Sequence, residues 1–373
     1  TITSNHLNLL VRDRFYSRLK RKFEENLEVQ GKKTVLVAHS MGSTVFLYFL
    51  KWVEASGPGF GNGGPDWVEK HVEAFTSIAG TFLGVPKAMA ALLSGEMRDT
   101  VELPPPAAYV LERFFSRQER ARLFRTWAGS ACMMIKGGEA VWGNATSAPD
   151  DEEGSQHSHG QIYSFRPRHK ISDSPHDSGA DSFDGRNLTA SEAQTWLLQH
   201  ASSAFQQMVQ LNYSNGIEYD EQKIRENDQD PAKWTNPLEV ALPNAPSMKI
   251  YCLYGAGKTT ERSYWYERGP YEKDEMEIEG QDATCADCPT PEERLDGGNA
   301  SVIDTGVTKV PQLDFPTGRK SWIDSNVADE KANPKVRSGC KMGEGDGTVS
   351  LLSLGAMCAE GWKRKRYNPA GSE

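Results

Sequence analysis

The segment TVLVAHSMGSTVFLYFL, residues 34–50, decides which fold this sequence predicts. Its first five residues, TVLVA, are apolar and mostly β-branched, which is typical of a strand buried on both faces of a parallel sheet. The apolar residues that follow favour a buried helix over residues 41–55. Between strand and helix, residues 38–42 (AHSMG) fit a small-x-Ser-x-Gly pattern. A strand that passes directly into a helix through this pattern is typical of a nucleophile elbow.

Ser40 is the candidate nucleophile, because a tight strand-to-helix turn makes its hydroxyl project from the edge of the sheet. Ala38 and Gly42, two residues to either side, are small enough to let the strand and helix backbones approach closely. The positive end of the helix dipole lies at Met41, so the Met41 N–H is the candidate oxyanion donor. The alternative is an ordinary strand-to-helix turn that contains a serine. His39 is not the expected base, since its side chain points away from Ser40 in this geometry.

A second stretch, GEGDGTVS at residues 343–350, contains the candidate acid Asp346. In enzymes that use this elbow the acid follows a later strand, and the histidine base comes after the acid. The alternative for Asp346 is a plain Gly-Asp-Gly turn. The last histidine of the sequence is His200, so none follows Asp346. Either an earlier histidine is the base, against the usual order, or the base lies beyond residue 373.

The elements around the elbow predict an α/β sheet. Apolar residues recur every fourth position before it and indicate one face of a helix that Gly31 ends. These residues are Phe15, Leu19, Phe23 and Leu27. Residues 72–79 and 249–254 are predicted to be two more strands. Helices that alternate with buried strands are typical of an α/β sheet.

Composition and charge exclude several classes of protein. Of the 373 residues, 38% are hydrophobic and 25% are charged, which is ordinary for a folded protein and unlike a disordered or fibrous one. The formal net charge is −9, which argues against nucleic-acid binding. Most of it lies in residues 267–296, and this acidic insert is typical of a solvated surface excursion. No apolar run reaches the length of about 18 residues that a spanning helix needs.

Two groups of potential metal ligands are weak candidates. Cys285 and Cys288 form a C-x-x-C, but no second pair or histidine lies at zinc spacing. Four histidines lie in residues 144–190, a loop-rich stretch without periodicity: His157, His159, His169 and His176. Solvated loop histidines are favoured over a metal site there. The sequence therefore predicts no metal.

Eight blocks of this sequence match blocks of one known protein family and occur in the same order, which makes coincidence an unsatisfactory explanation. They are AHSMGS (38–43), FLKWVEASGPGFGNGG (49–64), AGTFLGVPKAMAALLSGEMRDT (79–100), ERFFSRQER (112–120), WTNPLEVALPNAP (234–246), MKIYCLYG (248–255), EGDGTVSL (344–351) and YNPAG (367–371). With these blocks the chain resembles the phospholipid:diacylglycerol acyltransferases of fungi and plants, within the lecithin:cholesterol acyltransferase family. The resemblance covers residues 7–142 and 232–371 and is weaker elsewhere.

The resemblance implies an α/β-hydrolase fold, present as a partial core sheet with cap and insert regions. Residues 1–142 would hold the core segment with the elbow and the start of the cap, and residues 143–231 a variable cap region. Residues 232–373 would hold the core segment with the acid loop, interrupted by an acidic insert at 267–344. The membrane anchor and early core strands of the family, with the loop of the second oxyanion donor, would lie before Thr1.

The reaction that the resemblance implies is acyl-CoA-independent acyl transfer. Ser40 would attack the sn-2 ester of a phospholipid, release a lysophospholipid and pass the acyl group to diacylglycerol, which gives triacylglycerol. Asp346 matches the acid of the triad and would orient and stabilise a protonated histidine. The implied partners are the two lipids and a membrane surface. No metal or organic cofactor is implied.

Cys252 and Cys358 match a disulfide pair of the family. That bridge would tie the third strand to the helix after the acid loop. A disulfide fits an oxidising compartment, and the resemblance implies the endoplasmic reticulum membrane, with the catalytic region in the lumen.

Two other functions remain as alternatives. A phospholipase or lipase would use the same elbow with water as the acceptor, although the blocks at 49–64 and 79–100 favour the acyltransferase. A catalytically inactive, truncated lipid-binding protein is the second alternative, because the histidine of the triad is missing. A fragment of this kind would also fold poorly alone, since a partial sheet leaves an unpaired edge on its N-terminal side.

Overall fold

A computed structural model describes residues 14–166, 185–199, 201–271 and 319–373 of the chain. In chain order the elements are α1 (Phe15–Gln30), β1 (Thr34–His39), α2 (Met41–Glu54), α3 (Trp67–His71), β2 (Val72–Ile78), α4 (Pro86–Ser94), α5 (Arg98–Val101), α6 (Pro105–Phe114), α7 (Arg117–Thr126), α8 (Ala128–Cys132), α9 (Gly138–Trp142), β3 (Tyr163–Phe165), β4 (Asn187–Leu188), α10 (Ala190–Gln199), α11 (Ser203–Asn212), α12 (Glu221–Asn227), β5 (Lys249–Leu253), β6 (Lys258–Tyr271), β7 (Arg319–Ile323), β8 (Val336–Arg337), β9 (Cys340–Gly345) and α13 (Leu351–Ala356). A turn of π-helix, Met357–Gly361, continues from α13. None of the described helices is long and apolar enough to cross a bilayer.

Three parallel strands form the sheet that carries the elbow, in the order β1-β2-β5. In the register of this sheet, Val37 of β1 lies opposite Thr76 of β2, which in turn lies opposite Tyr251 of β5. The three predicted strands are therefore present, neighbouring and parallel, and each has its predicted bounds to within one residue. The predicted α/β fold class is confirmed.

Helix α2 packs along its length against one face of this sheet. It is apolar nearly all round because it lies between the sheet and α1. On the sheet side Phe46 contacts Phe75, with ring centroids 4.8 Å apart. On the α1 side Tyr16 contacts Trp52, with ring centroids 5.3 Å apart. Phe15, on the apolar face predicted for α1, is 40% exposed, whereas its neighbour Tyr16 is fully buried against α2.

The opposite face of the sheet is apolar and largely uncovered by the described residues. Val35 and Val37 of β1 are 54% and 61% exposed, and Tyr251 and Leu253 of β5 are 49% and 53% exposed. The prediction that TVLVA is buried on both faces is therefore wrong. Burial on both faces needs a layer on each side of the sheet, and the described residues supply one layer.

The two edges of this sheet differ. Among the described residues no strand pairs with the outer edge of β1, and the unpaired edge stays a prediction. At the edge of β5, the Ile250 N–H donates to the Glu373 carbonyl, and the Glu373 N–H donates to the Met248 carbonyl at 3.2 Å. Glu373 therefore runs along β5 and satisfies part of that edge.

A second, mixed sheet of six strands lies in the later part of the chain. Its order is β4-β3-β6-β9-β8, and β7 pairs with β6 as well. Strands β3 and β4 come from the predicted cap region, whereas β6 and β9 border the predicted insert. One sheet thus joins parts of the predicted cap region and of the later core segment. The predicted boundaries of these regions stay a prediction. Most of the acidic stretch, with Cys285 and Cys288, lies outside the described residues.

The predicted disulfide between Cys252 and Cys358 is present. Cys252 lies in β5 and Cys358 in the π-helical turn after α13, so the bridge ties the third strand to the helix after the acid loop. It joins residues 106 positions apart. Closing a loop of about 100 residues restricts the unfolded chain enough to stabilise the fold by about 4–5 kcal/mol in the chain-entropy treatment.

We predict that the double variant Cys252→Ala/Cys358→Ala loses about 3–5 kcal/mol of unfolding free energy, because its unfolded state regains the closed-loop entropy. Urea denaturation of the oxidised protein and the variant measures the difference. A reductant should lower the stability of the unmodified protein by a similar amount and leave the double variant unchanged. Equal stability of the oxidised protein and the variant would contradict the prediction.

The uncovered sheet face predicts that the isolated 373-residue chain associates with itself through apolar contacts. Val37→Thr with Tyr251→Ser should reduce light scattering and dye binding, with little change in unfolding free energy. Phe75→Ala, on the covered face of the same sheet, should instead cost about 3–5 kcal/mol. Soluble, cooperative unfolding of the unmodified isolated chain would show that the expectation of poor folding is wrong.

Candidate active site

Ser40 lies between β1 and α2 in a strained backbone conformation. Its φ is 53° and its ψ is −127°, and positive φ values are uncommon for residues other than glycine. Its N–H donates to the Ile78 carbonyl at 2.8 Å, and its own carbonyl accepts the Ser43 N–H at 3.0 Å. The neighbouring strand and the first turn of α2 therefore both hold this turn. A sharp, strained strand-to-helix turn is the geometry of the predicted elbow.

The strand and the helix approach each other closely beneath Ser40. A Cβ added at Gly42 would lie 3.9 Å from the Ala38 Cβ, which is an ordinary van der Waals contact between the two elements. The hydroxyls of Ser43 and Ser77, both buried, share a hydrogen bond of 2.8 Å. This bond fixes the start of α2 to β2. This hydrogen bond could not be predicted from the sequence, because no local pattern identifies two distant serines as partners.

Met41 begins α2, and its N–H belongs to the positive end of the helix dipole. Its side chain meets α8, since a Cβ added at Gly129 would lie 3.3 Å from the Met41 sulfur. The start of α8 is held from another side by Tyr213, whose hydroxyl donates to the Ala128 carbonyl at 3.0 Å. Residues that follow α7 therefore border the turn next to the candidate oxyanion donor.

Asp346 occupies a tight turn between β9 and α13. Its Oδ1 accepts the N–H groups of Thr348 and Val349, each at 2.8 Å. Within the described part of the chain, no group donates to its Oδ2. Gly347 has a φ of 97°, and its N–H donates to the hydroxyl of buried Thr260 at 2.8 Å. Asp346 thus lies in a Gly-Asp-Gly turn, as the alternative interpretation has it. The same turn leaves Oδ2 of its carboxylate available to a further donor.

Ser40 follows β1 at one edge of the three-stranded sheet, and Asp346, which follows β9 of the second sheet, comes close to the same edge. Next to Ser40, Ala79 at the end of β2 donates its N–H to the Leu253 carbonyl of β5 at 2.8 Å. Just beyond β5, a Cβ added at Gly255 would lie 3.5 Å from the Asp346 Cβ. Neighbouring strands are about 4.8 Å apart, which places the two sites roughly 10 Å apart. A third group is needed to connect the hydroxyl with the carboxylate.

No described histidine connects Ser40 with Asp346. The described histidines are His39, His71, His157 and His159. His39 is exposed on the uncovered sheet face, and His71 precedes β2 at the opposite edge of the sheet. That His39 is not the base stays a prediction. The other two lie before β3, in the region of the second sheet. His6, His169, His176 and His200 lie outside the described residues.

The fold and the site define a class of protein. A parallel sheet that carries a serine at a strained strand-to-helix turn, with a carboxylate at the same edge, is the α/β-hydrolase arrangement. The sequence model of the lecithin:cholesterol acyltransferase family matches residues 6–287. The chain belongs to this family.

Three relatives from fungi and a plant illustrate the similarity. The chain is 41% identical over 368 residues to a phospholipid:diacylglycerol acyltransferase of Schizosaccharomyces pombe. This alignment covers 99% of the chain and 48% of that protein. It is 42% identical over 262 residues to the Saccharomyces cerevisiae enzyme of that name, and the alignment covers 70% of the chain and 38% of that enzyme. It is 31% identical over 427 residues to phospholipid:diacylglycerol acyltransferase 1 of Arabidopsis thaliana, and the alignment covers 98% of the chain and 56% of that protein. The chain spans about half the length of the relatives it matches.

We predict that Thr260→Val loosens the Asp346 turn, because the Gly347 N–H loses its buried acceptor, at a cost of about 1–3 kcal/mol. In a protein that contains this chain and is active, kcat should fall while KM for the substrate stays within about twofold. Thr259→Val is the matched control, since Thr259 is the exposed neighbour on the same strand. Equal kcat values for the two variants would contradict this role of Thr260.

Proposed function

We propose that the chain is the catalytic core of an acyl-CoA-independent O-acyltransferase. It moves a fatty acyl group from the sn-2 position of a phospholipid to diacylglycerol, and the products are triacylglycerol and a lysophospholipid. The observation that carries the proposal is Ser40, held at a φ of 53° between a parallel strand and a buried helix. The names of the relatives support the choice of substrates.

The first half-reaction forms an acyl-enzyme. Ser40 Oγ attacks the acyl carbonyl carbon, its proton passes to a histidine base, and the Met41 N–H donates to the oxyanion. The lysophospholipid leaves with the proton returned by the base, so that the acyl group remains on Ser40. Asp346 orients the base through Oδ2, because its Oδ1 is engaged by the turn. The base is a histidine that the described residues do not include.

The second half-reaction decides whether the enzyme is a transferase or a hydrolase. The hydroxyl of diacylglycerol attacks the acyl-enzyme and gives its proton to the base, and Ser40 is regenerated. Water in the same position would give a free fatty acid. A closed, apolar acceptor site favours the lipid alcohol by excluding water. The approach of α8 to Met41, where a Cβ added at Gly129 would lie 3.3 Å from the Met41 sulfur, supports a role for this segment in the exclusion of water.

The proposed location is the endoplasmic reticulum membrane, with the catalytic region in the lumen and the anchor upstream of this chain. The bridge between Cys252 and Cys358 supports an oxidising compartment. Both substrates are membrane lipids, so the site works at a membrane surface. Neither a metal nor an organic cofactor takes part in this route.

A phospholipase or lipase is the second candidate, because the same elbow serves water as well as an alcohol. The deciding assay supplies vesicles that contain phosphatidylcholine with a labelled sn-2 acyl chain, together with diacylglycerol, to the longest protein that contains this chain. Labelled triacylglycerol supports the transferase. Label in free fatty acid alone favours the hydrolase, and label in neither product favours the inactive, lipid-binding alternative.

We predict that Ser40→Ala lowers formation of labelled triacylglycerol by at least about 10⁴-fold, because the acyl-enzyme cannot form. Binding of the variant to substrate vesicles should be unchanged. Ser56→Ala, at an exposed serine two residues after α2, is the matched control and should keep full activity. Residual activity of Ser40→Ala above a hundredth of the control would show that another group is the nucleophile.

We predict that Asp346→Asn lowers kcat by about 10⁴-fold, because an amide cannot stabilise the protonated base. The fold should be kept, since the amide oxygen can still accept the two N–H bonds of the turn. Glu344→Gln, which changes an exposed carboxylate on β9, should retain activity. If Asp346→Asn and Glu344→Gln have similar kcat values, Asp346 is a turn residue and not the acid.

A further inference from the structure

Asp150, Asp151 and His159 form a cluster of ligand atoms away from Ser40. One ligand atom from each, two carboxylate oxygens and a ring nitrogen, lie within 4.8 Å of one another. His159 was predicted to be a solvated loop histidine, and this prediction is wrong, because it is only 4% exposed. Its burial follows from long-range contacts of β6 and β9, which local composition does not reveal.

The two nitrogens of the His159 ring have different surroundings. Nε2 lies 3.2 Å from the Met342 carbonyl, which can only accept a hydrogen bond, so Nε2 carries a proton. Nδ1 makes no hydrogen bond, although it lies 3.0 Å from Asp151 Oδ1 and 4.0 Å from Asp150 Oδ1. In the neutral ring, Nδ1 therefore turns its lone pair towards two carboxylates. This contact is unfavourable unless a positive charge lies between them.

Each of the three side chains is oriented by a partner outside the cluster. Both oxygens of Asp150 accept from Arg262, at 2.8 Å from Nε and 3.1 Å from Nη2. Asp151 Oδ2 accepts the Ala148 N–H at 2.7 Å. His159 is fixed by the Met342 carbonyl described above. Metal ligands are typically held in this way, with the second ring nitrogen of a histidine donating to a carbonyl and the carboxylates hydrogen-bonded in turn.

The charge of the cluster leaves room for a cation. Arg262, which is fully buried, balances Asp150. Of the residues that the structure describes, no lysine or arginine forms an ion pair with Asp151, and buried Lys341 acts on it electrostatically without direct contact. A cation placed among Nδ1 and the two carboxylates would compensate this second negative charge and accept the lone pair of His159.

We infer that Asp150, Asp151 and His159 bind a divalent cation through Oδ1, Oδ1 and Nδ1. A donor set of one imidazole and two carboxylates suits Zn²⁺. Ligands at about 2.0–2.2 Å from zinc lie about 3–4 Å from one another, and the separations of 3.0 and 4.0 Å from Nδ1 already fall in that range.

The cation can reach this cluster from solvent. Asp150 and His159 line a cleft of about 930 Å³, together with Lys258 and Glu344. The cleft offers water to complete the coordination shell. A bound ion would fasten residues 148–159, which precede β3, to the strands β6 and β9 that carry Arg262 and Met342. The site is therefore structural and joins two distant parts of the second sheet.

The test compares zinc binding by the full chain with binding by His159→Gln. A glutamine can still donate to the Met342 carbonyl but offers no Nδ1 ligand. His157→Gln is the matched control, since His157 is two residues away and packs on Trp265. All three proteins carry Cys285→Ser and Cys288→Ser, so that these thiols contribute nothing. After chelation, equilibrium dialysis against Zn²⁺ with elemental analysis gives the metal content per chain.

The parent and His157→Gln should each bind one zinc ion more than His159→Gln. In the parent, Zn²⁺ should also slow amide hydrogen exchange over residues 148–160 at least tenfold, a result that requires no variant. Mg²⁺ at the same concentration should do neither. Equal zinc content in the parent and in His159→Gln, with no change in exchange, would mean that a proton alone compensates the cluster, and the inference would be wrong.

Discussion

The positive φ of Ser40 is the constraint on which the rest of the structure depends. The chain must reverse from a parallel strand into a helix within one residue, and the backbone can do so only if both flanking elements are held rigidly. The Ile78 carbonyl, the first turn of α2 and the hydroxyl pair of Ser43 and Ser77 provide this rigidity. Strain at Ser40 is thus maintained by burial around it.

The helices that bury the elbow lie on one face of the parallel sheet. Helix α2 covers one face of the sheet with large aromatic side chains, and α1 closes over it through Tyr16. The second sheet is built from β3, β4 and the strands β6 to β9, and it carries the turn of Asp346. The parallel sheet therefore positions the nucleophile, and a distant excursion of the chain positions the acid.

Much of the elbow could be predicted from the sequence, because the determinants are local. An apolar run, a small-x-Ser-x-Gly turn and a second apolar run predicted β1 and α2 to within one residue, and two further apolar stretches predicted β2 and β5 equally well. The exposure of Val35 and Val37 could not be predicted, since a fully apolar strand looks the same whether one or two layers cover it. The burial of His159 was missed for a related reason, because Met342, whose carbonyl holds its ring, is 183 residues away in the sequence.

The bridge between Cys252 and Cys358 makes a covalent ring of the chain between them. This ring contains the acid turn, whereas Ser40 lies before it. A protease that cut one peptide bond inside the ring would leave two fragments still joined, and they would separate on a gel only after reduction. The acid would stay tethered to β5, the third strand of the sheet that carries the nucleophile. The ring is therefore the part of this chain in which a single cleavage need not divide the site.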